Sequence, residues 1–180
     1  VISFLVQDVP LLFGGFLMRE KHDFYATPDS IIREILVRLR WRSLKPWEPF
    51  NGDGRFSKQI TEMLGVDPVV GDITTGQDFF AIKKALAPDI ISNPPFKDIR
   101  NVIDHAFDIG VERMALVCSP TLFACKKGFD QFYRHRPSRF CHLSWREDYL
   151  GKGNPDRTLA VAFWEDPLNT KHTEFEVWEK

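Results

Sequence analysis

Short apolar runs alternate with stretches of helical periodicity along most of this chain, and most of the early runs stop on a glycine, an acid or an asparagine. Residues 47–51, 67–70, 89–92, 113–118, 139–145 and 158–164 have the length and composition of strands. Residues 28–42, 56–64, 79–86, 99–109 and 120–133 read as helices. In the first of these, Ile31, Ile32, Ile35, Leu36 and Leu39 recur at helical spacing, with arginines largely between them. Thr27 is its expected N-cap and Pro28 its first helical position, and Gly65 is placed to close the second helix. Strands interleaved with helices predict an α/β fold with a doubly wound, mostly parallel sheet. Such a sheet binds ligands beyond the carboxyl ends of its strands, where strand order reverses. Gly52, Gly54, Asp72, Asp78 and Asn93 all follow a strand or open the next helix, so they are expected along one edge.

A chain of 180 residues fits one domain, and 43% hydrophobic residues supply a full core without staples. Twenty-four Lys and Arg against 25 Asp and Glu leave a formal charge of −1, so no global field holds a polyanion. Any nucleic-acid contact must come from a local patch. Cys118, Cys125 and Cys141 match no zinc or redox spacing; they read as buried reduced thiols of a cytosolic protein, zinc through His135 or His142 being the alternative. Residues 9–18 are apolar but too short for a bilayer, and no basic region precedes them as in a signal peptide, so no membrane association is expected. Met18 opens a polar stretch; residues 1–17 read as an upstream extension and 18–180 as a single domain.

Three segments carry chemistry. Glu48-Pro49-Phe50-Asn51-Gly52-Asp53-Gly54 joins a strand to a helix, and its glycines allow a tight turn that a ligand can approach closely. A third glycine is absent, with Ser57 in its place, so the nicotinamide-dinucleotide fingerprint fails; an ordinary strand-to-helix turn is the alternative. Asp72 follows the second strand, 18 residues after Gly54, where an acid can accept from ribose hydroxyls; a helix cap or loop acid is the alternative. Asp78-Phe79 pairs a carboxylate with a ring suited to an adenine, or else an N-cap with a core Phe. Asn93-Pro94-Pro95-Phe96 is the most specific. Proline holds the preceding Asn93 extended at a strand end. The Asn93 side-chain oxygen and the Pro94 carbonyl can then accept from one amine, with the Phe96 ring available to stack on a planar group. A rigid turn is the alternative.

In order and spacing, these segments resemble the phage and restriction-type adenine-specific DNA N6-methyltransferases, over most of residues 23–166. Residues 24–28 (FYATP), with Tyr25, Thr27 and Pro28, resemble the segment that contacts the methionine end of S-adenosylmethionine. Glu48, Pro49, Phe50, Gly52 and Gly54 match the family's glycine loop, Asp72 its ribose-binding acid with Ile73 beside the adenine ring, and Asp78 and Phe79 its adenine-recognising pair. Asn93, Pro94, Pro95 and Phe96 match its catalytic tetrapeptide. The resemblance implies a Rossmann-like class I methyltransferase fold, S-adenosylmethionine as cofactor, DNA as substrate, a flipped target base, and catalysis by positioning and electrostatics without metal or covalent intermediate.

Family members that read a defined sequence usually carry a separate recognition domain. Here loops are the candidates: Lys97 and Arg100 after the tetrapeptide, and the polar insertion 146–157 with Lys152. Lys126, Lys127, Arg134, Arg136 and Arg139 form a cluster suited to phosphates, with a solvated helix face as the alternative. Specificity is expected to be short or weak, or to come from a partner protein. Two other readings stand beside DNA: the same transfer to RNA adenine or a protein glutamine amide, and a catalytically silent relative that binds nucleic acid or a partner. His22, His105, His135, His142 and His172 form no constellation, no base pairs with Cys118 or Ser119, and Phe123 and Phe129 are expected in the core on one helix.

Overall fold

The short apolar runs meet in one sheet of seven strands in the computed structural model, which describes residues 27–41, 45–147, 157–166, 168 and 170–180. In chain order the elements are α1 (Asp29–Val37), β1 (Trp47–Glu48), α2 (Arg55–Leu64), β2 (Val69–Val70), β3 (Asp89–Ser92), α3 (Ile99–Asp108), β4 (Arg113–Cys118), α4 (Lys126–Arg134), β5 (Arg139–Glu147), β6 (Arg157–Trp164) and β7 (Glu174–Trp178). The strand order is β2-β1-β3-β4-β6-β5-β7. All pairings are parallel except those of β6, which runs against both of its neighbours, β4 and β5. The sheet is therefore mixed. Only nine residues, 148–156, join β5 to β6, too few for the crossover that a parallel pair requires.

Alternation along the strands sends side chains to two cores. Ile90, Met114, Leu116, Ala160 and Ala162 meet Val102, Ile103 and Ala106 of α3 on one face. Ile91, Ala115, Val117, Val161 and Phe163 meet Ile31, Ile32, Ile35 and Leu36 of α1 and Phe56 and Ile60 of α2 on the other. Each fully buried large aliphatic contributes roughly 1.5–3 kcal/mol relative to exposure. β1 leads through α2 to β2 on one side, whereas β3 lies on the other. The order thus reverses between β1 and β3, which is where ligands bind in open α/β sheets.

Several local expectations are corrected by tertiary contacts. α1 stops at Val37, and Trp41 turns back to pack edge-on against Phe163 at 6.3 Å, which a helix running to residue 42 would prevent. The N-cap position falls on Pro28 without a side-chain cap bond. Residues 79–86 form a single 3-10 turn, Phe79–Ala81, and then follow an irregular path, with Ala85 N donating to Ile109 O at 2.9 Å. Residues 120–124 are turns, so α4 begins only at Lys126, with Cys125 extended before it. β7 adds an edge strand that the sequence reading did not foresee. Cys118 and Cys141 are buried but Cys125 is exposed. Phe129, expected in the core, is 57% exposed.

Candidate functional site

The loop after β1 is shaped by two left-handed glycines, Gly52 at φ 52° and Gly54 at φ 79°. That region costs an L-residue about 1–2 kcal/mol, so glycine is required. Gly54 also opens α2. Asp72 clasps this loop: Oδ2 accepts from Gly52 N at 2.8 Å, and Oδ1 accepts from Thr74 N at 2.8 Å and from Thr74 Oγ1 at 2.5 Å. Two further bonds, Gly71 N to Glu48 O and Asn51 N to Gly71 O, both 2.9 Å, carry the β1–β2 pairing into the turn.

Glu48 is fully buried at the end of β1. Its Oε1 accepts from Phe50 N at 2.9 Å and from Ser92 Oγ at 2.5 Å, and its Oε2 is buried without a hydrogen-bond partner among the described residues. Burial pushes the carboxyl up to about 8; the bonds from Ser92 and Phe50 work against this, and the charge of Asp72 adds to it. Ser92 is the last residue of β3, immediately before Asn93. One carboxyl therefore ties the glycine loop to the tetrapeptide. Sequence reading missed Ser92, although a hydroxyl between Ile90-Ile91 and Asn93 was a usable signal.

Asn93 donates from Nδ2 to Thr27 Oγ1 at 2.8 Å, and Thr27 is 7% exposed. The hydroxyl expected to cap α1 instead sets which way the Asn93 amide faces. Pro94 is buried, while Asn93, Pro95 and Phe96 are half-buried, with Phe96 packed against the α1–α2 core. Pro28, beside Thr27, is half-buried. Tyr25 lies outside the described residues.

Asp78 accepts from Phe80 N at 3.0 Å, capping its turn. The Phe79 ring, 3% exposed, is packed among Trp47, Phe50 and His105 at centroid distances of 5.4, 5.1 and 5.1 Å. It supports β1 and the loop from within; the exposed large apolar side chains of this segment are Ile73 (57%) and Phe80 (38%). Glu48, Gly52, Gly54, Asp72, Thr27 and Asn93 are thus joined by hydrogen bonds or by neighbouring backbone, whereas Asp78 is held apart by its own turn. A polar groove between α1 and α2, bounded by Asp29, Arg33, Asp53, Arg55 and Glu62, reaches Gly54 but is lined by none of Glu48, Asp72 and Asn93.

The basic candidates divide by their partners. Arg100 donates to Leu122 O at 2.9 Å and Cys125 Sγ at 3.2 Å, bracing the segment before α4. Arg134 is paired with Asp104 at 3.0 Å, Lys97 lies 3.9 Å from Asp98, and Arg136 donates to Lys171 O. Lys126 and Lys127 are exposed, and Lys152 lies outside the described residues. Arg139 does not belong to a phosphate cluster: it is 2% exposed, pairs with Glu165 at 2.6 Å and Glu176 at 3.4 Å, and donates to Arg38 O at 2.9 Å. His135 stacks on Phe107 at 4.5 Å, and burial holds it below the ordinary imidazole range. Among the described residues, no group of His, Cys, Asp and Glu is arranged to hold a metal ion, and no helix is long and apolar enough to cross a membrane.

No protein-family model matches the chain, and no curated protein sequence matches it. Solved structures do. The methyltransferase subunit of a type I restriction-modification system from Streptococcus thermophilus superposes with a TM-score of 0.56 at 11% identity, covering 85% of this chain and 47% of that one. A protein assigned as a class I S-adenosylmethionine-dependent methyltransferase, from Listeria monocytogenes, gives 0.56 at 10% identity, covering 87% and 66%. A protein assigned as an RNA methyltransferase, from Pyrococcus horikoshii, gives 0.53 at 16% identity, covering 83% and 88%. The chain spans about half to two thirds of the length of the first two. The shared architecture is the class I S-adenosylmethionine-dependent methyltransferase fold, here with a mixed sheet.

Proposed function

We propose that this chain transfers a methyl group from S-adenosylmethionine to the N6 amine of adenine in DNA. The observation that carries the proposal is the linkage at the switch point: Ser92 is bonded to buried Glu48 of the glycine loop, and Asn93, the next residue, is oriented by Thr27. Acceptor and cofactor segments are thereby held in one hydrogen-bonded unit.

Two features fit S-adenosylmethionine. The glycine loop has positive φ at Gly52 and Gly54 and opens a ten-residue helix. The buried Glu48 Oε2 lacks a partner among the described residues, and a polar group of a ligand bound beside the glycine loop would satisfy it. Gly52, Gly54 and Glu48 would hold the methionine portion, with Thr27 and Pro28 nearby. Asp72 would hold the ribose, and exposed Ile73 and Asp78 would border the adenine, with the buried Phe79 ring supporting them from beneath. The cofactor, when bound, supplies a methyl group on a sulfonium. Asn93 Oδ1 and the Pro94 carbonyl would accept from the N6 amine, drawing its nitrogen toward tetrahedral geometry and exposing its lone pair. Phe96 would stack on the target base, and Pro95 would stiffen the turn. The first solved neighbour is a subunit of a restriction-modification system, and a partner protein that supplies sequence specificity is part of this proposal.

The test is methyl transfer from tritiated S-adenosylmethionine to unmethylated DNA, with nucleoside digestion and mass spectrometry. N6-methyladenine is expected from the wild type. Asp72→Ala should weaken cofactor affinity about tenfold, as expected for a lost charged hydrogen bond; an unchanged titration moves the ribose contact elsewhere. The neighbour assigned as an RNA methyltransferase favours RNA adenine as the second reading. Label in RNA but not DNA would select it.

A further inference from the structure

Beyond α4, no described residue covers the face of the sheet that carries α3. There the described residues form a continuous path of rings. On α4, Phe129 meets Tyr133 at 4.6 Å, and Tyr133 meets Phe132 at 6.1 Å. Phe123 bridges Phe132 at 5.2 Å to Phe140 of β5 at 5.5 Å. The path continues through His142 at 5.5 Å to Phe175 of β7 at 5.0 Å. Its two ends are the exposed parts: Phe129 is 57% exposed, Tyr133 63%, Phe175 63% and its neighbour Val177 62%. Burying these rings would be favourable, yet no described residue covers them.

Charge identifies the occupant. The Arg136 guanidinium sits 5.3 Å from the Phe132 ring centre and 5.7 Å from that of Tyr133, and exposed Lys126 and Lys127 begin the same helix. Asp104 is already engaged by Arg134 and Gln131, and Glu174 and Glu176 of β7 pair with Arg40. Asp130 is the single acid on α4. Exposed rings interleaved with cations match the needs of unpaired nucleotides, whose bases stack while their phosphates meet positive charge. The position is also suitable. α4 follows the carboxyl end of β4, the edge that carries Asn93, and Arg100 of α3 ties the turn before α4 to the helix that follows the tetrapeptide.

We infer that the α4–β5–β7 face is a stacking platform for unpaired nucleotides flanking the target base. The inference rests on the nucleic-acid reading of the active site. It is tested by fluorescence anisotropy of the full chain with a labelled single-stranded deoxyoligonucleotide. Phe129→Ala with Tyr133→Ala should weaken strand binding about tenfold or more, while the S-adenosylmethionine titration and melting temperature hold. Phe175→Ala, at the far end, should give a smaller loss in the same direction. Lys126→Gln with Lys127→Gln should reduce the salt slope of binding by about 1.4. No strand binding by the wild type, or unchanged affinity in both aromatic variants, overturns the platform. So does a dimer by sedimentation that these variants dissolve without loss of strand affinity. Failure of the methyl-transfer reading looks different: the aromatic variants would lose strand binding, but the wild type would methylate neither DNA nor RNA.

Discussion

At one end of the sheet, β1 and β2 pair through two residues each; at the other, β5 and β6 run for nine and eight. The long end is held by its backbone ladder and by Arg139, which is buried between two carboxylates and stacked 4.1 Å from the centre of the Phe163 ring. The short end has little ladder to rely on. There, the side-chain carboxylates of Glu48 and Asp72 take up backbone N–H groups of the turns. Under the proposed function, chemistry and local structure share the same residues at the short end, whereas the buried charges of Arg139, Glu165 and Glu176 at the long end serve packing.

Substitutions test this contrast, and the largest effect belongs to the long end. Arg139→Ala should destabilise the fold by about 3–5 kcal/mol, because two carboxylates lose a buried partner. Chemical denaturation measures it, and cofactor affinity below the transition should be unchanged; a parallel fall in affinity would mean that the two ends are not separable. Asn93→Ala should lower methyl transfer by about 10²–10³-fold, the scale of removing one positioned polar group at a reacting centre, with cofactor binding preserved. Equal turnover in the variant would remove Asn93 from the mechanism.

Glu48 gives a pH-dependent test. The folded chain keeps its proton up to about 8, whereas the unfolded chain releases it in the usual carboxylate range. Stability should therefore fall as pH rises across that window, by at most about 1.4 kcal/mol per pH unit. Melting curves from pH 5 to 8 should be flatter for Glu48→Gln than for the wild type; parallel curves would show that burial does not hold the proton. The smallest effect belongs to Thr27→Val, which removes one bond to Asn93 of about 1 kcal/mol. Transfer should slow about fivefold with little change in melting. An unchanged rate would leave Asn93 positioned by its backbone alone.

Elements whose causes are local are legible from the residues alone. Proline after Asn93 restricts the backbone wherever the chain goes, and Gly52 and Gly54 mark turns that other residues resist. Ile31, Ile32, Ile35 and Leu36 declare a helix face by spacing alone, and all four are buried. Tertiary structure decided the partners. The Thr27 hydroxyl could have capped its own helix, but Asn93, 66 residues away, takes it. Residues 79–86 carried a helical pattern, but burying Phe79 beside Trp47 and bonding Ala85 to Ile109 favoured an irregular path. Phe129 had the composition of a core residue, and only the packing of α4 turned it outward. Ser92 became part of the site because Glu48, 44 positions earlier, is buried beside it. Local pattern sets which conformations a segment can adopt; which side chains are desolvated together depends on residues far apart in the chain, and no short window of sequence contains that information.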